Sequence, residues 1–178
     1  MSVSGYRRRP RGDCAEAIAV KKKARSIRVI INPAAGTGGS ILSVINLAMK
    51  EADIKWEASI THEAGDAIRF ARTAVKEKAD VLAVYGGDGT LMEAISGLIG
   101  STTPLAILPG GSANVMAGEL GIPRDLQAAC GLISQTPLTT RTIDVGRFED
   151  RYLILGVALG FGADVIKGAD RKTKNRIG

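Results

Sequence analysis

Residues 81–93, Val-Leu-Ala-Val-Tyr-Gly-Gly-Asp-Gly-Thr-Leu-Met-Glu, carry most of the information about the fold. The first four residues are apolar and predict a buried strand, and a helical pattern follows over residues 91–98. Between them, three glycines surround Asp88 and form a loop in which phosphate oxygens could approach backbone N–H groups. A strand, a glycine-rich loop and a helix in this order indicate a protein that binds a nucleotide.

The same strand–loop–helix order recurs along the chain. Strands are predicted at residues 26–31, 55–61, 81–85 and 104–108. Helices are predicted at residues 41–51, 64–78, 90–99, up to 120, and 123–134. This alternation predicts an α/β fold in which a parallel sheet is covered by helices on both faces, giving three layers. Glycine-rich loops follow three of the strands, so we expect them to meet at the carboxyl edge of the sheet, where open sheets bind ligands.

Composition and charge exclude several classes of protein. The 178 residues suit one α/β domain, and no apolar stretch is long enough to span a membrane or to form a secretory signal. The two cysteines suggest free thiols in a reducing, cytoplasmic compartment. The 4% aromatic content and the lack of a basic stripe in the folded part argue against nucleic acid as a partner.

The positive charge is concentrated near the N-terminus, whereas the rest of the chain is close to neutral. We therefore expect residues 1–25 to form a basic, disordered arm. A second possibility is that the arm is attracted to anionic lipid headgroups, which would place the protein peripherally at the inner face of a membrane.

The predicted pattern changes near residue 137. Residues 26–136 form the predicted nucleotide-binding domain, and residues 139–148 and 151–159 are predicted as two strands joined by a turn. Because an isolated hairpin is a poor domain, we expect residues 137–178 to begin a second, β-rich lobe that is incomplete in this chain. The alternative is that the hairpin packs on the first domain.

Asp88 is the candidate residue with the clearest chemistry. A carboxylate beside phosphates is favourable if Mg²⁺ lies between them, or if the carboxylate accepts a proton from an attacking hydroxyl. The alternative is that Asp88 only caps the following helix. Thr90 could cap that helix or bind a phosphate oxygen.

The other two loops offer weaker signals. The loop that begins at Asn32 lacks the lysine of a P-loop, so N–H groups, helix N-termini and metal would have to neutralise phosphate charge. Ser112 and Asn114 offer a hydroxyl and an amide at a helix start, although Ser112 could simply cap that helix. His62 is interpreted as a surface residue rather than a general base, and Glu93 either points back to its loop or faces solvent.

Five motifs resemble the catalytic domain of diacylglycerol kinases, a family that includes bacterial lipid kinases, sphingosine kinases and ceramide kinases. They are Asn32-Pro33-x-x-Gly36, the block 86–93, Leu-Pro-Gly-Gly-Ser-Ala-Asn at 108–114, Leu-Gly-Ile-Pro at 120–123 and Ile-Asp-Val-Gly at 143–146. The resemblance covers residues 27–178. The glycine–aspartate block is also shared with NAD kinases, whereas the Ser112 motif and Leu-Gly-Ile-Pro favour lipid kinases.

The resemblance implies a two-lobed enzyme that uses ATP and Mg²⁺ to phosphorylate a lipid hydroxyl, on a diacylglycerol-like or sphingoid lipid. This chain would supply the ATP-binding portion and would be inactive alone. Asp88 would organise Mg-ATP or, as proposed for the sphingosine-kinase branch, act as the base. The residues implied in nucleotide binding are Asn32, Thr61, Gly86, Gly87, Asp88, Gly89, Thr90, Leu91, Met92, Glu93, Ser112 and Asn114.

The chain departs from the family pattern at two positions beside the predicted phosphate path. Met92 stands where many members have Asn, and Val115 stands where an Asp is common. No metal ligand set is predicted within this chain, because similar enzymes carry further acidic residues in the second lobe. An NAD kinase-like enzyme with a soluble substrate and a non-catalytic nucleotide-binding module remain as alternatives. Neither the lipid nor the oligomeric state is predicted.

Overall fold

The computed structural model describes residues 17–20, 23–36, 40–135, 137–148 and 151–154. The strands are β1 (Ala17–Val20), β2 (Ser26–Ile31), β3 (Lys55–Ile60), β4 (Val81–Gly86), β5 (Leu105–Pro109), β6 (Leu138–Arg141), β7 (Gly146–Phe148) and β8 (Arg151–Leu153). The helices are α1 (Ile41–Glu51), α2 (Asp66–Lys76), α3 (Asp88–Leu98), α4 (Val115–Glu119) and α5 (Leu126–Ser134).

Four strands form the predicted parallel sheet, in the order β3-β2-β4-β5. Strand β4 lies in the middle, and all six of its residues are buried. Its alternate side chains enter two separate cores, because successive side chains of a strand point to opposite faces. The expectation of an α/β fold with a covered parallel sheet is therefore confirmed.

Each face of the sheet carries its own helices. On one face, Ile45 and Met49 of α1 and Cys130 of α5 pack against β2 and β4. On the other face, α2, α3 and α4 bury small side chains such as Ala71 and Ala94. These small residues allow the helices to approach the sheet closely, and α2 and α3 pack against each other on that face.

Two helix predictions need correction. The last helix was predicted from residue 123 but begins at Leu126, because the Asp125 carboxylate accepts a hydrogen bond from the Ala128 N–H at 2.7 Å and caps the helix there. The spacing of residues 41, 42, 45 and 49 predicts one apolar face for α1, but Leu42 is 49% exposed. It lies at the edge of the apolar stripe of α1 that is formed by Ile45 and Met49.

Part of the predicted disordered arm is a strand. Strand β1 pairs antiparallel with β6, with Ala17 opposite Arg141 and Val20 opposite Leu138. The predicted strand 139–148 is correspondingly split, because its first half pairs with β1 and its second half, as β7, pairs with β8. Residues 1–16 and 21–22 of the predicted arm, and residues 149–150 and 155–178 of the predicted second lobe, lie outside the described residues.

The described part of the segment after residue 137 contacts the first domain. Leu138 belongs to the core that contains α1 and α5, and Ile143, Val145 and Ile154 pack against the opposite core. This contact was the alternative that the sequence left open for the hairpin. None of the described helices has both the length and the apolar character needed to cross a membrane.

Gly97 is required by the contact between α2 and α3. A Cβ at this position would lie 2.6 Å from the Ile68 carbonyl oxygen and 2.7 Å from the Ala71 Cβ. We expect Gly97→Ala to lower the free energy of unfolding by about 1–2 kcal/mol, because overpacking outweighs the better helix propensity of alanine. Urea denaturation measures the change.

The matched control for this prediction is Gly131→Ala in α5. A Cβ at Gly131 meets no atom within 4 Å, so alanine should raise the free energy of unfolding by about 0.5–1 kcal/mol. If both variants were stabilised, the close packing of α2 on α3 would be disproved.

Candidate functional site

Three glycine-rich loops meet at the carboxyl edge of the sheet, as expected. The first follows β2, the second joins β4 to α3, and the third follows β5. The Asn32 N–H donates to the Tyr85 carbonyl oxygen at 2.9 Å, and the Gly110 N–H donates to the Gly86 carbonyl oxygen at 3.0 Å. The strand ladders thus continue into the loops and hold them side by side. Residues 37–39 of the first loop lie outside the described residues.

The second and third loops touch backbone to backbone. A Cβ on Gly111 would lie 2.6 Å from the Gly87 Cα, and a Cβ on Gly87 would lie 3.4 Å from the Gly111 Cα. Gly111 therefore has no room for a side chain, and the two loops can approach each other this closely only because Gly111 carries none. This arrangement is suited to an extended anion such as a polyphosphate.

Asn32 ties the first loop to the second. Its amide nitrogen donates to the Thr90 hydroxyl at 2.8 Å, and its amide oxygen accepts from the Ala34 N–H at 2.9 Å. Thr90 does not cap α3, because it lies within the first turn of a helix that begins at Asp88. Its side chain instead packs against Gly86, and a Cβ added at Gly86 would lie 2.8 Å from the Thr90 Cβ.

Asp88 caps a helix, but not the one that follows it in the sequence. Its two carboxylate oxygens accept hydrogen bonds from the N–H groups of Val115, at 3.1 Å, and Met116, at 3.2 Å. Both groups belong to the first turn of α4, which otherwise has no side-chain cap. Asp88 therefore joins the second loop to the helix after the third loop, and its carboxylate is held in a fixed orientation.

Asn114 shapes the third loop. It has a positive φ of 49°, and its side chain accepts from the Gly111 N–H at 2.9 Å and donates to the Gly111 carbonyl oxygen. Asparagine tolerates this left-handed conformation better than most residues. Ser112 is exposed in the same loop, and it does not cap α4, since the first N–H groups of that helix are bonded to Asp88.

Glu93 and Thr61 lie along the loop that follows β3. The Glu93 carboxylate accepts from the Gly65 N–H at 2.9 Å, so it neither points back to its own loop nor faces solvent alone. The Thr61 N–H donates to the Ile31 carbonyl oxygen at 2.9 Å, which places Thr61 beside the first loop. His62 is exposed, as interpreted from the sequence.

The remaining predicted contacts differ in accessibility. Gly89 is exposed and Met92 is half-buried, so both can be reached from outside. Leu91 is only 4% exposed and belongs to the core on the α2–α3 face, which leaves only its backbone for a ligand. Leu91 was included among the nucleotide-binding positions because of its place within the motif.

The sequence analysis missed Asp66. This carboxylate is 5% exposed, accepts from the His62 N–H at 2.8 Å and the Glu63 N–H at 3.2 Å, and pairs with Arg69. Asp66 holds the start of the loop after β3 through these bonds, and Glu93 of α3 holds the same loop at Gly65. An acidic residue at the first position of a helix was the available signal, because such residues commonly bond to nearby N–H groups.

We expect Asp66 to make stability depend on pH. The His62 N–H, then Arg69 and the Glu63 N–H, lower the pKa of Asp66 from 3.8 to about 2. Because the folded pKa is the lower one, the contribution is complete above about pH 4 and is lost progressively as the pH falls towards 2. The free energy of unfolding, measured in urea, should fall less between pH 5 and pH 3 for Asp66→Asn than for the parent. An equal fall in the two proteins would show that Asp66 is not the source of this pH dependence.

The described residues contain no group of three or more His, Cys, Asp or Glu side chains that could hold a metal ion. Asp88 is the carboxylate that lies at the meeting point of the loops. Mg²⁺ in kinase sites is typically held by one or two carboxylates together with phosphate oxygens and water, so a single carboxylate here fits an ion that arrives with its nucleotide.

Comparison with known proteins agrees with this geometry. A family model named diacylglycerol kinase catalytic domain matches residues 26–148. A probable lipid kinase YegS-like protein of Chromohalobacter salexigens is 37% identical over 134 residues, which are 73% of this chain and 42% of that protein. A diacylglycerol kinase of Staphylococcus aureus (strain JH9) is 31% identical over 155 residues, 85% of this chain and 49% of that protein.

A solved structure shares the architecture as well. The crystal structure of a diacylglycerol kinase from Bacillus anthracis str. Sterne superposes with a TM-score of 0.66 at 31% identity, covering 74% of this chain and 46% of that one. The chain spans about half the length of the curated relatives it matches. The extent of the family match and the likeness in sequence and structure show that this chain belongs to the diacylglycerol kinase catalytic domain family.

Proposed function

We propose that this chain is the ATP-binding part of a lipid kinase. The complete reaction would transfer the terminal phosphoryl group of ATP to a hydroxyl of a diacylglycerol-like or sphingoid lipid. The observation that carries the proposal is the meeting of three glycine-rich loops at one edge of the sheet, with Gly87 and Gly111 in backbone contact. The names of the relatives support a lipid as the acceptor.

The site would bind ATP largely through backbone groups. The loops offer N–H groups, and the N-terminus of α3 adds a favourable dipole, because phosphate charge is stabilised at helix N-termini. No lysine stands in the described parts of the three loops, residues 32–36, 86–90 and 109–114. Mg²⁺ bound to the phosphates would supply the missing positive charge.

Asp88 would bind and orient that ion. The hydrogen bonds from α4 hold the Asp88 carboxylate in place before any ligand arrives, which lowers the cost of ordering it on binding. Phosphoryl transfer depends mainly on positioning and on neutralising charge around the transferred group. A pre-positioned carboxylate beside glycine loops supports that chemistry, and the Asp88 side chain is therefore our candidate catalytic group.

The site residues divide into two groups under this proposal. Gly87, Gly89 and Ser112 would contact the nucleotide directly, whereas the buried Gly86 and the side chains of Asn32, Thr90, Asn114 and Glu93 would hold the loops in place through the bonds described above. Thr61 would line the side of the site near β3. No lipid-binding residues are proposed within the described part of the chain.

A lipid acceptor would bring the protein to a membrane surface. We propose that the basic N-terminal segment contributes by attraction to anionic headgroups, worth about 1 kcal/mol for each Lys or Arg near the surface. Sedimentation with phosphatidylserine vesicles at low and high salt tests this contact. Equal sedimentation with phosphatidylcholine vesicles would contradict it.

Calorimetry with Mg-ATP tests the nucleotide site in this chain, and binding is the expected result. Labelled ATP offered together with diacylglycerol micelles, sphingosine micelles or NAD then distinguishes the acceptors. We expect little or no transfer by the 178 residues alone. Binding of Mg-ATP with no transfer in any longer product of the gene would support a non-catalytic module, and transfer to NAD would support the soluble-substrate alternative.

A further inference from the structure

Tyr85 stands at the centre of the site but plays no part in the motif. It is the last-but-one residue of β4, is 6% exposed, and pairs with Ile31 on one side and Leu108 on the other. Those two neighbours are the residues that lead into the first and third loops. In the sheet, Tyr85 therefore lies between the starting points of both loops.

The far end of the Tyr85 ring contacts both loops. A Cβ at Gly36, which has a positive φ of 83°, would clash with the Tyr85 hydroxyl oxygen and would lie 3.8 Å from the Gly110 carbonyl oxygen. A Cβ at Gly110 would lie 2.8 Å from the Tyr85 Cζ. The backbones of the two loops thus rest on the same end of one aromatic side chain.

We propose that Tyr85 is a positioning residue that sets the spacing between the first and third loops and thereby the width of the nucleotide site. The nucleotide part of this inference rests on the proposed function. A tyrosine ring suits the task because it is rigid and has only two rotatable bonds. Close-packed interiors transmit displacements to their neighbours, so a change in the ring or in the glycine above it should move a loop.

Gly110 offers the cleaner partner for a test. Its backbone conformation is one that alanine can adopt, whereas Gly36 would be strained by any side chain. The added methyl of Gly110→Ala would meet the Tyr85 ring, and that conflict should disappear when the ring is replaced by a shorter, flexible side chain. The two positions should therefore be strongly coupled.

The experiment is a double-mutant cycle on the full chain with Gly110→Ala, Tyr85→Leu and the pair. Mg-ATP affinity is measured by calorimetry, and unfolding midpoints are measured in urea. We expect Gly110→Ala to weaken Mg-ATP binding about tenfold in the parent and less than about twofold in the Tyr85→Leu background. The midpoint of urea unfolding should show the same coupling between positions 85 and 110. Tyr85→Met replaces Tyr85→Leu if the latter does not fold.

Two further variants separate positioning from a general loss of stability. Tyr85→Phe keeps the ring atoms that contact Gly110, so Gly110→Ala should remain harmful in that background. Gly131→Ala, in α5, where an added Cβ would point into open space, should leave Mg-ATP affinity unchanged.

Effects of Gly110→Ala that are equal in the tyrosine and leucine backgrounds would overturn the proposal. A parent chain that bound no Mg-ATP would overturn the proposed function instead. In that case the coupling of the two positions in the urea midpoints still confirms or overturns the spacing role of Tyr85.

Discussion

Asp88→Asn should change the affinity for ATP in opposite directions with and without Mg²⁺. If the Asp88 carboxylate holds a phosphate-bound metal ion, its loss should weaken Mg-ATP binding by about tenfold, or about 1.4 kcal/mol. In EDTA the same substitution should strengthen ATP binding, because it removes a negative charge from beside the phosphates. Calorimetry under both conditions measures the two affinities.

The same substitution should also reduce stability. Asp88 accepts two hydrogen bonds from the first turn of α4, and an asparagine can accept with only one of its two terminal atoms. We expect a loss of about 1 kcal/mol in the free energy of unfolding for Asp88→Asn, and up to about 2 kcal/mol for Asp88→Ala. Urea denaturation without nucleotide measures this cost separately from binding.

Asp125 supplies the matched control. It caps α5 through the Ala128 N–H at 2.7 Å, and α5 lies on the α1 side of the sheet, away from α4. Asp125→Ala removes this cap, so it should lower stability by an amount similar to Asp88→Ala and leave both ATP affinities unchanged. If Asp88→Asn, like Asp125→Ala, left both ATP affinities unchanged, Asp88 would be a helix cap with no role in metal or nucleotide binding.

The sequence was sufficient to predict the central sheet. Strands buried on both faces give short apolar runs, and β4 is such a run, with all six residues buried. Because the strands are parallel, the loops that follow them had to meet at one edge. The fold class and the meeting of the loops therefore followed from local patterns alone.

Contacts between distant segments were not predictable in the same way. The pairing of β1 with β6 joins the first described strand to a strand that follows α5, and no local pattern marks it. Asp88 was expected either to serve the phosphates or to cap its own helix. The helix that it caps lies beyond the third loop, and only the three-dimensional arrangement brings the first turn of α4 within reach.

Side-chain direction was the other source of error. The block 86–93 identifies a nucleotide loop, but its members do not all face a ligand. Leu91 enters the core, and Glu93 extends to Gly65. Tyr85, which directly precedes the block 86–93, and Asp66 were given no role from the sequence, although both hold loops that surround the site.

Gly111→Ala should disrupt the second and third loops more strongly than Gly87→Ala does. The new methyl group would lie 2.6 Å from the Gly87 Cα and 3.1 Å from the Asn114 amide oxygen. Backbone atoms cannot turn aside as a flexible side chain can, so the second and third loops must separate. We expect a loss of about 1–3 kcal/mol in the free energy of unfolding, measured in urea, and no detectable Mg-ATP binding by calorimetry.

Gly87→Ala tests whether this effect arises from the contact itself. Its methyl group would approach the Gly111 Cα only to 3.4 Å, which is close to ordinary van der Waals contact. The same substitution on the opposite side of one contact should therefore cost clearly less stability than Gly111→Ala. Both residues are glycines at the carboxyl edge of the sheet, so residue identity cannot explain this asymmetry. It depends on the directions of the two Cα–Cβ bonds. Equal costs for the two variants, or a Gly111→Ala protein as stable as the parent, would show that the two loops are not in backbone contact.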